Sequence, residues 1–321
     1  MKSRKELICK SSIPTKEARQ INAGQIKAGQ IKAGQVKVRQ LKVGIGLRLP
    51  HIDTILKNHK ILSKKIGWLE IHSENYYAEG GSSTYVLKQL AEHFPISFHS
   101  VGNSLGSAQG LDLSHLKKLK NLIHLINPIF ISDHISWGLI DKKHSNDLLP
   151  LPYTKESLNI ISQNISHMQD FLGREILVEN PSTYLAFKNP EMSESEFVNE
   201  LASKTGCGLL LDINNVYVSS NNNSEFDAKI YLEEIDPKIV KEVHLAGHSV
   251  SNILNEKGKR ILIDTHDNLV CDEVWDLYEN ALKKFGNIPT IMEWDQDIPE
   301  LEVLLNEAKK AERLMRNNAR S

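Results

Sequence analysis

Eight short apolar runs, each followed by a stretch with helical spacing, recur from Val43 to the end of the chain. The runs cover residues 43–47, 68–72, 96–99, 129–133, 176–179, 209–212, 243–245 and 290–293. Helical patterns occupy 51–62, 84–93, 113–126, 155–172, 193–205, 228–235, 271–285 and 298–316. Strands that alternate with helices pair in parallel, because each helix carries the chain back to the start of the next strand. Eight such units predict an α/β fold, a single closed (β/α)8 TIM barrel. A doubly wound sheet would need a Gly-rich phosphate loop after its first strand, and Gly44-Ile-Gly46 runs instead into Leu47-Arg48-Leu49.

Residues 1–42 read differently. Ile21-Asn-Ala-Gly-Gln, Ile26-Lys-Ala-Gly-Gln, Ile31-Lys-Ala-Gly-Gln and Val36-Lys-Val-Arg-Gln repeat every five residues, a period that fits neither helix nor strand. This segment is expected to be a flexible extension, with 43–321 forming the catalytic barrel. Lys plus Arg (39) nearly balance Asp plus Glu (40), so no basic field points to nucleic acid. Cys9, Cys207 and Cys271 are too scattered for a disulfide framework or a zinc knuckle. With no long apolar span and no signal-peptide pattern, the expectation is a cytoplasmic protein without a membrane partner.

The strand ends carry the chemistry. They offer Glu70 and His72, His99, Asp133 and His134, Glu179, Asp212, His244 and Glu293, with His51 just past the first strand. Asp264 and His266 form a D-x-H pair that an extended backbone would present on one face. Active sites of this fold sit at the C-terminal strand ends, so these groups are expected to converge. Packed carboxylates repel, and a shared cation relieves the repulsion. Five carboxylates (Asp133, Glu179, Asp212, Asp264, Glu293) and four imidazoles (His51, His99, His244, His266) exceed the needs of one ion, which implies two or three metals. A donor set without thiolate suits iron, manganese or zinc. Covalent catalysis competes poorly: Ser104-Leu-Gly106 lacks the nucleophile elbow, and neither Cys207 nor Cys271 adjoins a histidine.

Gly44-Ile-Gly-Leu-Arg48, Leu69-Glu-Ile-His-Ser-Glu-Asn-Tyr76, Phe98-His-Ser-Val-Gly-Asn-Ser-Leu-Gly106, Ser132-Asp-His-Ile-Ser-Trp137, Asn146-Asp-Leu-Leu-Pro-Leu-Pro-Tyr153, Glu179-Asn-Pro-Ser-Thr-Tyr184, Leu211-Asp-Ile-Asn-Asn-Val-Tyr217, His244-Leu-Ala-Gly-His248 and Glu293-Trp-Asp295 together resemble the DUF692 family. These are multinuclear non-heme iron-dependent oxidative enzymes (MNIO), similar to those that mature methanobactin and bufferin. The resemblance runs from about residue 43 to about residue 314. It implies two or three iron ions, O2 as co-substrate, and oxidation of cysteines in a ribosomally made precursor peptide to heterocycles, as in metallophore or copper-binding peptide maturation. It also implies a separate protein that presents the peptide. A more distant similarity is to xylose isomerase and endonuclease IV barrels, in which Glu, Asp, His, Asp-x-His and Glu follow one another. Glu179, Asp212, His244, Asp264, His266 and Glu293 keep that order, while Asn215 stands where those nucleases carry a histidine.

On this reading Glu179, Asp212 and His244 form the catalytic centre, with Glu179 bridging metals. Glu74, Asn75, Asn180, Asn215 and His248 are expected to orient ligands or touch substrate. The rival readings are a di- or tri-zinc hydrolase or sugar isomerase on the same barrel, and a metal-storage protein. Because the five-residue repeat presents no periodic apolar face, deleting residues 1–42 is expected to leave the melting temperature and bound metal unchanged. A large loss of either in the truncated protein would refute that expectation.

Overall fold

The computed structural model describes residues 43–319 apart from 79–80, 141–142, 185–186 and 256–257. The repeat segment 1–42 lies outside the described residues. Eight parallel strands close into a barrel: β1 (Gly44–Gly46), β2 (Leu69–His72), β3 (Ile96–His99), β4 (Ile131–His134), β5 (Leu177–Glu179), β6 (Gly208–Asp212), β7 (Val240–Leu245) and β8 (Thr290–Met292). Each strand pairs with its neighbours in sequence, and β8 closes on β1 through Gly44 opposite Ile291. The outer faces of the strands pack against the surrounding helices in one continuous apolar core that includes Phe98, Val178, Leu209, Leu211 and Val243.

Local sequence explains where the helices begin and end. Asp112 accepts the backbone N–H groups of Ser114 and His115 to start the helix Leu113–Ile126. Ser193 and Glu196 form a reciprocal capping box that opens Glu194–Thr205, and Gly206 closes it with φ of 72°. The first expected helix is two: Leu49–Lys57 stops at Asn58 and His59–Leu62 follows. After β6 the chain forms Ile213–Asn222, rich in Asn and Ser, before the expected helix at Ala228–Glu234. Poor helix formers hid that element, and its start is set by Asp212, whose side chain caps it.

Two β-hairpins were not expected from the sequence. Trp137–Ile140 pairs with Lys143–Leu149 after β4, and Ser249–Leu254 pairs with Arg260–Ile263 after β7. Both follow the C-terminal ends of barrel strands, where loops build the active sites of this fold. Among the described residues no helix is long and apolar enough to cross a membrane.

One buried acid sits in this scaffold away from the barrel mouth. Burial pushes the Glu194 carboxyl from its ordinary value of 4.5 up to about 7, against a hydrogen bond with Tyr153. Its raised folded value means that ionisation destabilises the fold: the penalty is absent below pH 4.5, grows as pH rises, and is complete above about 7. Glu194→Gln should therefore melt higher than the parent at pH 8, by up to about 3 kcal/mol of stability, and equal it near pH 4. Calorimetry at both pH values reads the difference; no gain at pH 8 would contradict this account.

Candidate metal centre

The donors converge because inward-facing residues of adjacent strands lie in register. His72 of β2 is opposite His99 of β3, His134 of β4 is opposite Glu179 of β5, and Asp212 of β6 is opposite His244 of β7. Glu293 follows β8 directly, its N–H bonded to the Leu245 carbonyl. A cavity of about 220 Å³ opens above this ring, lined by His72, His99, His134, Glu179, Asn215, Asp264, His266, Glu293 and Asp295 among others. Leu148 of the first hairpin and Tyr184 complete its walls.

Within this ring, donor atoms gather in overlapping groups. His99, His134 and Glu179 form one, Glu179, Asp212 and His244 a second, and Asp212, His266 and Glu293 a third. Glu179 and Asp212 each belong to two of these groups, the position a bridging carboxylate requires. His99 Nε2 and His134 Nε2 each lie 3.3 Å from Glu179 Oε2. His244 Nδ1 is 2.9 Å and His266 Nδ1 3.4 Å from Glu293 Oε2.

The electrostatics are those of a donor set at close quarters. Burial pushes Glu179 up to about 7 against the pull of His134 and His244. Burial and the Glu179 charge push Asp212 well above the usual carboxylate range. Burial opposes charge on Glu293, yet His244 and His266 hold it well below that range. Burial likewise disfavours a charged His134, but Glu179 and Asp133 raise it to about 9, while burial and His134 keep His99 well below its ordinary value. Glu179 Oε2, Asp212 Oδ2 and Asn215 Oδ1 are buried without a hydrogen-bond partner. Such atoms are costly unless something ligates them, and imidazole and carboxylate without thiolate fit iron, manganese or zinc.

Neighbouring groups fix these ligands. Asp212 accepts the Asn215 N–H on Oδ1 at 2.6 Å, which leaves Oδ2 free. Asn180 clamps β6 from both sides, donating to the Asp212 carbonyl at 3.0 Å and accepting the Asp212 N–H at 2.9 Å. Asn215 donates to Glu179 Oε1 at 3.3 Å and to the Asn180 carbonyl at 3.1 Å. His248 Nδ1 is 2.8 Å from Asn214 Oδ1, and Asn214 donates to Asp264. Asp264 and His266 meet at 2.7 Å, but through a turn in which His266 takes φ of 48°, not through an extended backbone.

The structure places four expected groups elsewhere. His51 Nε2 lies 2.8 Å from the Pro299 carbonyl oxygen, and among the described residues it joins none of the donor groups. Asp133 accepts the Asn103 backbone and side-chain N–H groups, at 3.1 and 2.7 Å, and so fixes the loop after β3. Glu74 accepts the N–H groups of Val101 and Gly102 and contacts His115, beside a larger groove of about 730 Å³. Asn75 on the same turn is exposed.

Sequence reasoning offered His134 at a strand end but chose Asp133 as the ligand, and it overlooked Arg48 and Asp295. Alternation along β4 gives the signal for the first: Ser132 Oγ is 2.8 Å from His99 Nδ1, so Ser132 and His134 face the barrel interior while Asp133 faces away. Arg48 donates to Asp295 and, at 3.3 Å, to Glu293, and its guanidinium serves as cation to the acidic pair on that side. Deeper in the barrel, Glu70 and Glu242 are buried beside His244, and burial with the Glu70 charge pushes Glu242 well above the carboxylate range.

A parallel eight-stranded barrel whose mouth gathers overlapping carboxylate–imidazole groups defines a TIM-barrel protein of xylose isomerase-like architecture, with several sets of side chains that could hold a metal ion. The chain belongs to the family of RiPP precursor modification enzymes MbnB/TglH/ChrH, whose description matches residues 42–316. It is 46% identical over 270 residues to a UPF0276 protein of Psychromonas ingrahamii, covering 84% of this chain and 92% of that one. A UPF0276 protein of Vibrio vulnificus is 47% identical over 274 residues, covering 85% and 91%. Among solved structures, a xylose isomerase-like TIM barrel protein from Mycobacterium smegmatis in complex with magnesium superposes with a TM-score of 0.56 at 10% identity, covering 88% of this chain and 98% of that one. The 3-keto-D-glucoside 4-epimerase YcjR from E. coli gives 0.55 at 11% identity, covering 85% and 100%. At such identities these two report the fold alone.

The placement of Asp133 and His134 separates their roles. His134→Ala is expected to lower bound metal, measured by inductively coupled plasma mass spectrometry, whereas Asp133→Asn should keep the wild-type stoichiometry and lower the melting temperature. The reverse pattern would place Asp133 in the centre.

Proposed function

We propose that this enzyme is a cytoplasmic non-heme iron oxidoreductase that holds two or three iron ions at the barrel mouth. It uses O2 to oxidise cysteine residues of a ribosomally made precursor peptide into heterocycles, with a partner protein presenting the peptide. Membership of the precursor-modifying family supports the substrate class. The observation that carries the multinuclear reading is the sharing of Glu179 and Asp212 between adjacent donor groups. Bound iron supplies the redox chemistry and the means of using O2.

This chain's residues then divide the work. His99, His134 and Glu179 would hold one ion, with Asp212, His244, Asp264, His266 and Glu293 holding the rest. Asn180 and Asn215 keep the Glu179 and Asp212 carboxylates oriented, and Arg48 balances the excess negative charge of Glu293 and Asp295. Leu148 and Tyr184 line the approach to the donors. A zinc hydrolase or sugar isomerase uses the same barrel, but the family match favours peptide modification.

The decisive experiment is mass spectrometry of a Cys-containing peptide encoded beside this gene, after co-expression with and without air. An O2-dependent loss of mass at cysteine is expected. Protein purified with zinc and no iron, leaving the peptide unmodified, would overturn the proposal. Glu179→Gln keeps the size of the side chain but removes the charge, and a neutral amide bridges two cations poorly. It should lose at least one iron and all peptide turnover while the fold is retained; full iron and wild-type turnover would remove Glu179 from the bridge.

A further inference from the structure

Beneath the donor ring the barrel interior carries a row of polar side chains where this fold ordinarily packs branched aliphatic residues. Trp68 Nε1 donates to Ser97 Oγ at 3.2 Å, and Ser97 Oγ donates to Glu70 Oε2 at 2.9 Å. The other carboxylate oxygen, Glu70 Oε1, lies 2.8 Å from His244 Nε2, an ion-pair contact without hydrogen-bond geometry. All four side chains belong to residues that are 2% exposed or less, so no solvent competes for these contacts. The opposite ring nitrogen, His244 Nδ1, faces Glu293 at 2.9 Å, within the donor ring.

We infer that Glu70 is a positioning residue for His244: its carboxylate, close beside Nε2, favours the proton on that nitrogen, so that the Nδ1 lone pair is presented to the metal. A neutral imidazole has one N–H and one lone pair, and the partner of the first decides where the second points. Metal-binding histidines commonly give their other N–H to a carboxylate, and loss of that partner weakens metal binding by about 10- to 100-fold. Ser97 and Trp68 complete the device by fixing the carboxylate, so strands β2 and β3 together set the aim of a ligand on β7. The inference rests on reading the barrel mouth as a metal centre.

The test is an anaerobic Co2+ titration of the full chain and its E70L, E70Q and S97A variants, read by the visible absorption of bound Co2+. Melting temperatures without metal are recorded alongside. E70L should bind Co2+ about 10- to 100-fold more weakly, with a shifted absorption band. E70Q, whose amide oxygen still accepts an N–H, should recover most of the affinity, and S97A should show a smaller loss in the same direction. Wild-type affinity and spectrum in E70L would overturn the inference. So would a loss in E70L that E70Q fails to recover while both melt lower without metal, since that marks a packing role. If the parent protein itself binds no Co2+, the metal-centre reading fails first, an outcome distinct from a parent that binds and an E70L that binds equally.

Discussion

Carboxylates packed inside a barrel repel one another, and the arrangement of the mouth follows from how that repulsion is managed. Glu179, Asp212 and Glu293 are each nearly or fully buried and converge from three different strand ends. On one side Arg48 supplies a fixed positive charge to Glu293 and Asp295. On the other side imidazoles and the neutral N–H groups of Asn215 are at hand, and Glu179 and Asp212 are driven up in pKa by burial. One flank of the donor ring thus carries its own positive charge, while the other keeps buried carboxylate oxygens without a hydrogen bond.

The scaffold uses one oxygen of several donor side chains for structure and leaves the other free. Asp212 closes β6 and caps the next helix with Oδ1, which pins the carboxylate and turns Oδ2 inward. Glu179 is bonded through Oε1 to Asn215, while Oε2 faces His99 and His134 without a hydrogen bond. Fixing one oxygen costs little in a short strand-to-helix joint and removes rotamer freedom from the other. Each of these ligands is thus positioned by the same residue-to-residue bonds that end a strand or start a helix.

How much of this was legible in the sequence depends on period and distance. The barrel was readable because eight apolar runs alternate with helical spacing, and β3 falls on its expected residues, 96–99. The convergence of Glu179, Asp212, His244 and Glu293 followed from their place at strand ends. Asp133 against His134 was a question of strand face, and counting back from Ser97 and His99 through the register would have answered it. The location of His51 beside Pro299, and of Arg48 beside Asp295, depends on contacts across some 250 residues that no local pattern encodes. The hairpins were hidden for another reason: their outward residues alternate weakly, and neither has the two-residue Asn-Gly turn that marks a hairpin in sequence.

Those hairpins separate two kinds of change. Among the described residues each pairs only with itself, and neither shares a ladder with the barrel strands that carry the donor ring. Their length and side chains can therefore drift through evolution without shifting the register that keeps His134 opposite Glu179 or Asp212 opposite His244. A lineage built on this plan can reshape the rim of the mouth for a new guest by editing hairpin sequence, while inheriting the donor ring unaltered.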